Sequence, residues 1–134
     1  FNNAVGVGAN IGFMEEVATQ IYRQNFEFGD FGANNDIILF GAGFPHLRIL
    51  DVWVDTYTAD AVGTTLTLHT AAAAGGTALT SPLSTVAIGV ARNTLGLNPA
   101  SRELAAAASL YLHANGNPVT LAGTLYILAL RHAA

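Results

Sequence analysis

Cysteine and lysine are both missing from this 134-residue chain. Without cysteine there are no disulfides and no thiolate metal sites, and the redox compartment is left open. Without lysine the cationic side chains are five arginines, spread singly at Arg23, Arg48, Arg92, Arg102 and Arg131. Nucleic-acid binding needs clustered cations to neutralise phosphates, and a polybasic membrane patch needs the same, so both classes drop out. No stretch approaches eighteen consecutive apolar residues, so no helix is expected to span a bilayer. Charge as a whole is scarce: charged residues make up 10% and the formal net charge is -4, where an ordinary domain carries roughly 25%.

Apolar residues, by contrast, make up 51% of the chain, which is long enough to build a real core. A lone domain of this size needs a polar coat, and here it must come from Thr, Asn, Ser and backbone. The alternative is that copies of the chain or another protein cover much of the outside. The chain opens on Phe1 rather than Met, as expected if a leader was removed or residues precede it, and no signal-peptide pattern is visible.

Residues 1–13, FNNAVGVGANIGF, carry glycine and asparagine without an amphipathic period and read as an extended arm. Over 14–25 a short helix would place Met14, Val17, Ala18 and Ile21 on one side, with Glu15 and Glu16 at the positive end and Arg23 at the other. A strand over 20–28 is the rival reading. Ile37–Phe40 is a short strand, and Leu47–Tyr57 is the clearest one, with Leu50, Val52 and Val54 to one side and Asp51, Trp53, Asp55 and Tyr57 to the other. Thr64–Thr70 alternates equally well, and TADAVG between them has the length of a hairpin connection. Residues 71–78, AAAAGGTA, carry little information, four alanines that could begin a helical turn being stopped by Gly75-Gly76; 80–84 read as a loop and Val86–Val90 as a strand. Ser101 before RELAAAA has the look of an N-capped helical turn, with a direct lead into a strand at Leu110 and Leu112 as the alternative. Asn115-Gly116 marks a turn of type I′, and Val119–Leu130 is a closing strand apolar on both faces, covered either within the fold or by an interface.

This pattern predicts a mainly β protein: a β-sandwich, jelly roll or small barrel with an extended N-terminal arm and one or two short helices. The thirteen threonines, gathered near the strands, favour extended backbone. The expected division is an arm with its short helix over 1–25 and a single β-rich domain over 26–134.

Catalytic signatures are absent. His46, His69, His113 and His132 stand apart, with no HExxH or HxH spacing. His69 and His113 lie on the more polar faces of their strands, and if those strands were neighbours the imidazoles could bind a metal or respond to pH. Solvated histidines are the plainer reading. Asp51 and Asp55 are roughly 13 Å apart along one strand, wider than the roughly 5–9.5 Å of glycosidase carboxylate pairs. No serine lies in a GxSxG elbow. GVGANIG departs from GxGxxG at Ile11, and no Lys-Ser/Thr pair follows it. The expectation is therefore no catalytic residues, no metal and no cofactor. Trp53 and Tyr57 share a face that would suit either sugar stacking or a protein interface.

Three segments, ILDVWVDT, TTLTLHTAAAAGGTAL and SLYLHANGNPVTLAGTLYILALRH, give the stretch from Ile49 to Leu130 its texture: an acid-bearing strand, a Thr/Leu strand running into Ala/Gly spacers, and a closing Gly-Thr-hydrophobic strand. In this the chain resembles small capsid decoration (cement) proteins of tailed bacteriophages and related β-rich virion structural proteins. The resemblance implies a non-enzymatic homo-oligomer, with a trimer favoured, on the outer capsid surface and bound to the major capsid protein. Away from the virion the protein would be soluble, without direct contact to nucleic acid or membrane. It implies no catalytic residues. The arm residues Phe1, Val5, Val7, Ile11 and Phe13 would lie over a capsid protein or sister subunit. Leu121, Leu125, Tyr126, Ile127, Leu128 and Leu130, with Trp53 and Tyr57, complete the expected interface. A phage coat or tail subunit, and a carbohydrate-binding module built on Trp53 and Tyr57, are the alternatives.

Overall fold

The computed structural model describes residues 18–40, 46–92, 102–105 and 108–131. Among these residues ten strands follow one another: β1 (Ala18–Glu27), β2 (Asp36–Phe40), β3 (Leu47–Thr58), β4 (Thr65–Ala71), β5 (Gly75–Ala78), β6 (Leu83–Ser84), β7 (Gly89–Arg92), β8 (Glu103–Leu104), β9 (Leu110–Asn115) and β10 (Ala122–Arg131). The first sheet has the order β1-β10-β3-β7, with β8 also on β3; the second has β2-β9-β4-β5, with β6 also on β4. Every pairing is antiparallel. The pairs nest, β1 with β10, β2 with β9, β3 with β7 and β4 with β5, and successive strands from β1 to β4 alternate between sheets. That is a long antiparallel ribbon rolled onto itself, the jelly-roll arrangement of a β-sandwich. The two sheets stay separate, so the barrel reading falls away.

Alternation along the strands builds the core. Leu47, Ile49, Val52 and Val54 of β3 and Leu125, Ile127 and Ala129 of β10 face Leu66 and Leu68 of β4 and Leu110, Leu112 and Ala114 of β9, all buried. Phe26, Leu79, Leu83, Leu104 and Leu121 close the margins. Leu50 does not join Val52 and Val54. Asp51 pairs with Leu128 and Ile49 with Ala129, so Leu50 is the extra residue of a bulge and turns outward. A second irregularity leaves Tyr57 unpaired between Thr56 and Thr58, opposite Gly123 and Ala122. Gly123 is required there: a Cβ would sit 2.5 Å from the Asp55 carbonyl oxygen and 3.2 Å from Thr56 Cα.

Several expectations change. Residues 18–27 form a strand, not part of a helix, because β10 offers an open edge and Tyr22 and Phe26 can turn inward while Ile21, Arg23 and Asn25 face out. β1 is thus part of the sandwich, and the domain already includes residue 18. Residues 14–17 lie outside the described residues. The RELAAAA stretch starts as β8, with Leu104 buried beside Leu47, and 102–105 contain no helical turn. Among the described residues the short helical segments are 3-10 turns at Phe28–Asp30 and Ala33–Asn35. Residues 75–78, whose sequence says little, pair with β4, and within the expected loop over 80–84 residues 83–84 form the short strand β6. Val86 to Ile88 precede β7 as an exposed loop. At Asn115-Gly116 the asparagine does not take the positive φ a type I′ turn needs, and the segment crosses from β9 in one sheet to β10 in the other.

TADAVG is not a hairpin either, since β3 and β4 lie in different sheets and the segment is a sandwich corner. Asp60 fixes it. One carboxylate oxygen accepts the Thr64 N–H at 2.9 Å, and the other accepts the N–H groups of Val119 at 2.8 Å and Thr120 at 3.4 Å. The Asp60 N–H donates to the Thr85 carbonyl at 3.0 Å, and the Thr120 hydroxyl accepts the Ala61 N–H and donates to the Ala59 carbonyl. Burial alone would raise the Asp60 pKa, but the Thr64 side chain together with the Val119, Thr64 and Thr120 N–H groups outweighs it and brings the carboxyl down to about 2.

Candidate interaction face

The outward side chains of the first sheet form rows across four strands. Arg23 of β1 lies opposite Tyr126 of β10, Tyr126 opposite Trp53 of β3, and Trp53 opposite Arg92 of β7. The Trp53 and Tyr126 rings stack with centroids 5.5 Å apart and planes 9° from parallel. The Arg92 guanidinium lies over the Trp53 ring, 5.0 Å from its centroid, and reaches Asp51 at 3.4 Å. Both strands carrying the rings are central in the sheet, so the row is held by continuous ladders on either side.

Beside this ladder the Tyr57 hydroxyl lies 2.7 Å from the Thr124 hydroxyl, which is itself 2.7 Å from the Asn25 amide oxygen. Arg23, Asn25, Tyr57, Thr124 and Tyr126 line a polar hollow of about 290 Å³. Hydrogen bonding with Tyr57, then desolvation and the nearby Asp55, hold the Tyr126 phenol above its ordinary range, with Arg23 acting the other way. Apolar side chains surround the ladder: Ile21 is 58% exposed, Val90 58% and Leu50 39%, with Leu128 and Leu130 half-buried.

Of the residues expected at an interface, Trp53, Tyr57, Tyr126, Leu128 and Leu130 share this face. Leu121, Leu125 and Ile127 do not: each is at most 2% exposed and belongs to the core. For these three, the second apolar face of the closing strand is covered by the opposite sheet and not by a partner chain. Phe1, Val5, Val7, Ile11 and Phe13 lie outside the described residues. Ile21, Arg23, Leu50, Val90 and Arg92 were not anticipated here. Finding them required the placement of β1 and β7 and the bulge at Leu50, and a single sequence signals none of these strongly.

His69 and His113 do become neighbours, on the outer face of the second sheet, with ring centroids 5.6 Å apart. Among the described residues no group of three or more His, Cys, Asp or Glu side chains is arranged to hold a metal ion. Asp51 and Asp55 both face out on β3, Asp51 against Arg92. Among the described residues no helix is long and apolar enough to cross a membrane. Comparison of the chain with protein-family models, with curated proteins and with solved structures finds no match.

Proposed function

We propose that this chain is a non-enzymatic virion structural subunit of the capsid-decoration kind, which self-associates and binds a capsid protein through the outer face of its first sheet. The supporting observation is the Arg23–Tyr126–Trp53–Arg92 ladder at the centre of an apolar-rimmed sheet face that no other described strand covers. Trp, Tyr and Arg are the residues that most often carry interface energy, and they do so when ringed by apolar contacts that exclude water. The jelly roll does not choose between roles, since capsid and lectin domains both use it. Scarcity of charge fits a surface shared with other chains. The trimeric state and the virion setting rest on the resemblance of the Ile49–Leu130 segment.

The ladder weighs against a sugar module built on Trp53. One ring face is stacked on Tyr126 and the other is covered by Arg92, so a pyranose would have to displace the guanidinium. The polar hollow at Tyr57 and Tyr126 favours a second reading, in which glycans are bound there instead. Mass measurement in solution separates the two. The subunit reading expects an oligomer at micromolar concentration, dissociating at least about ten-fold more readily in Trp53→Ala, with the fold kept because Trp53 faces outward. A monodisperse monomer that binds glycans, with binding lost in Tyr57→Ala, would replace it.

A further inference from the structure

The outer face of the second sheet holds titratable side chains that the interaction reading does not use. β9 lies between β2 and β4, so His113 has Asp36 on one side and Thr67 on the other, and His69 lies opposite Tyr111. His113 Nδ1 is 2.8 Å from one Asp36 oxygen. The second Asp36 oxygen accepts the Ala73 N–H at 2.7 Å, which ties the β4–β5 turn down onto the sheet. His69 Nε2 is 2.8 Å from the Thr67 hydroxyl, while its Nδ1 is buried. The His69 and His113 rings meet edge to face.

The turn is under tension. The Gly75 N–H donates to the Ala72 carbonyl at 3.0 Å, closing a four-residue turn whose central residues, Ala73 and Ala74, have φ of 59° and 58°. Asparagine and glycine usually fill such left-handed positions, because a Cβ is disfavoured there. The Asp36 carboxylate is thus one of the contacts keeping two alanines in a conformation they would otherwise leave.

We propose that Asp36, His69 and His113 form an acid-operated latch: near neutral pH the Asp36 carboxylate holds the 72–75 turn against the second sheet, and charging His69 releases it. A proton on His69 would place a cation against His113 in a site only 7% exposed. Asp36 is the carboxylate within the cluster, and it is already shared between His113 and Ala73. Tyr111 faces His69 from β9. β5 presents Ala78 opposite His69, and the turn brings no charge. Asp30 lines the hollow of about 440 Å³ next to Asp36, but its carboxylate accepts the Glu27 N–H at 2.9 Å. Burial, then His113, hold His69 below its ordinary value of 6.5, with Gly75 and Asp36 pulling the other way. The open form binds the proton more tightly than the closed one. Opening therefore becomes more favourable as pH falls through about 6.5, and it levels off below the closed-state value.

Amide hydrogen exchange, expressed as protection factors, tests this in the wild type, His69→Gln and Ala74→Gly. Between pH 7.5 and pH 5 the wild-type Ala73 and Gly75 amides are expected to lose protection about ten-fold, while those of Val54 and Leu112 hold. His69→Gln abolishes the loss. Ala74→Gly, which relaxes the turn, raises protection at every pH and keeps the loss in the same window. Three outcomes overturn the latch: unchanged Ala73 protection in the wild type, a loss that persists in His69→Gln, or a parallel loss at Val54 and Leu112. Should His69→Gln fail to fold, an Ala74→Gly profile superimposable on the wild type overturns it as well.

Discussion

Replacing Asp60 by asparagine keeps the size of the side chain and removes its charge, and the corner it holds makes the consequence calculable. In Asp60→Asn one oxygen still faces the Val119 and Thr120 N–H groups, but the amide nitrogen replaces the oxygen that accepts from Thr64. A donor then faces a donor in a residue only 4% exposed. Hydrogen bonds to charged groups contribute about 1.5–3 kcal/mol and an unmet buried donor costs about 1–3 kcal/mol, so a loss of about 2–4 kcal/mol is expected at pH 7. The charge itself gives a second figure, which reads the same hydrogen bonds. The Asp60 carboxyl titrates at about 2 in the folded protein against 3.8 ordinarily, which corresponds to about 2 kcal/mol of stability. Because the folded value is the lower one, the unfolded chain takes up the proton first. This contribution is complete above the unfolded value and disappears as pH falls through 3.8 towards 2. Urea unfolding of both proteins at pH 7 and near pH 2.5, with slopes compared, reads it directly, and taking the difference removes the other carboxylates. The gap between wild type and variant should narrow by more than about 1 kcal/mol on acidification. A gap that is the same at both pH values, or below about 0.5 kcal/mol at pH 7, would refute the reasoning.

Three further substitutions probe the architecture. Gly123→Ala drives a Cβ into the Asp55 carbonyl, and chemical denaturation should show a loss of about 3 kcal/mol or more, or no folded protein at all. Ile49→Ala and Leu50→Ala differ by one position across the bulge: the first should cost about 2–5 kcal/mol in the same assay, the second under about 1 kcal/mol, with weaker self-association only in the second. Tyr57→Phe removes the contact with the Thr124 hydroxyl, and thermal unfolding should report a loss of about 0.5–1.5 kcal/mol.

The fold class was legible because β3, β4 and β9 alternate cleanly, and a two-residue period with leucine and valine on one side leaves little else for them to be. Their partners were harder to read. Ala18–Glu27 has enough helix-compatible spacing that only the open edge of β10 decides for a strand. Leu50 was assigned inward because a bulge is invisible to a period of two, and the same irregularity places Ile49 in the core. Trp53 and Tyr126 were each noticed as aromatics, but their stacking depends on a register between strands some seventy residues apart in the chain. Asp60 gave no signal, since one aspartate in a six-residue connection looks like any polar loop residue. His69 and His113 were noticed as a pair conditional on neighbouring strands, and the condition holds.

The two buried acid-sensitive groups act in different windows, and this separates their effects within one titration. His69 begins to favour an opened turn as pH drops below its ordinary 6.5, whereas Asp60 does not weaken the corner until pH approaches 3.8. The turn lies on the outer face of the second sheet, and the corner joins the two sheets. A local opening should therefore precede any global loss on acidification. In wild type the Ala73 amide should lose protection near pH 5 to 6 with little change in the urea midpoint, and the midpoint should fall only below about pH 4. His69→Gln should remove the first event and spare the second. Asp60→Asn should flatten the second and leave the first in place. If either variant abolished both events, the turn and the corner would be a single cooperative unit, and the division of labour between the two faces of the sandwich would not hold.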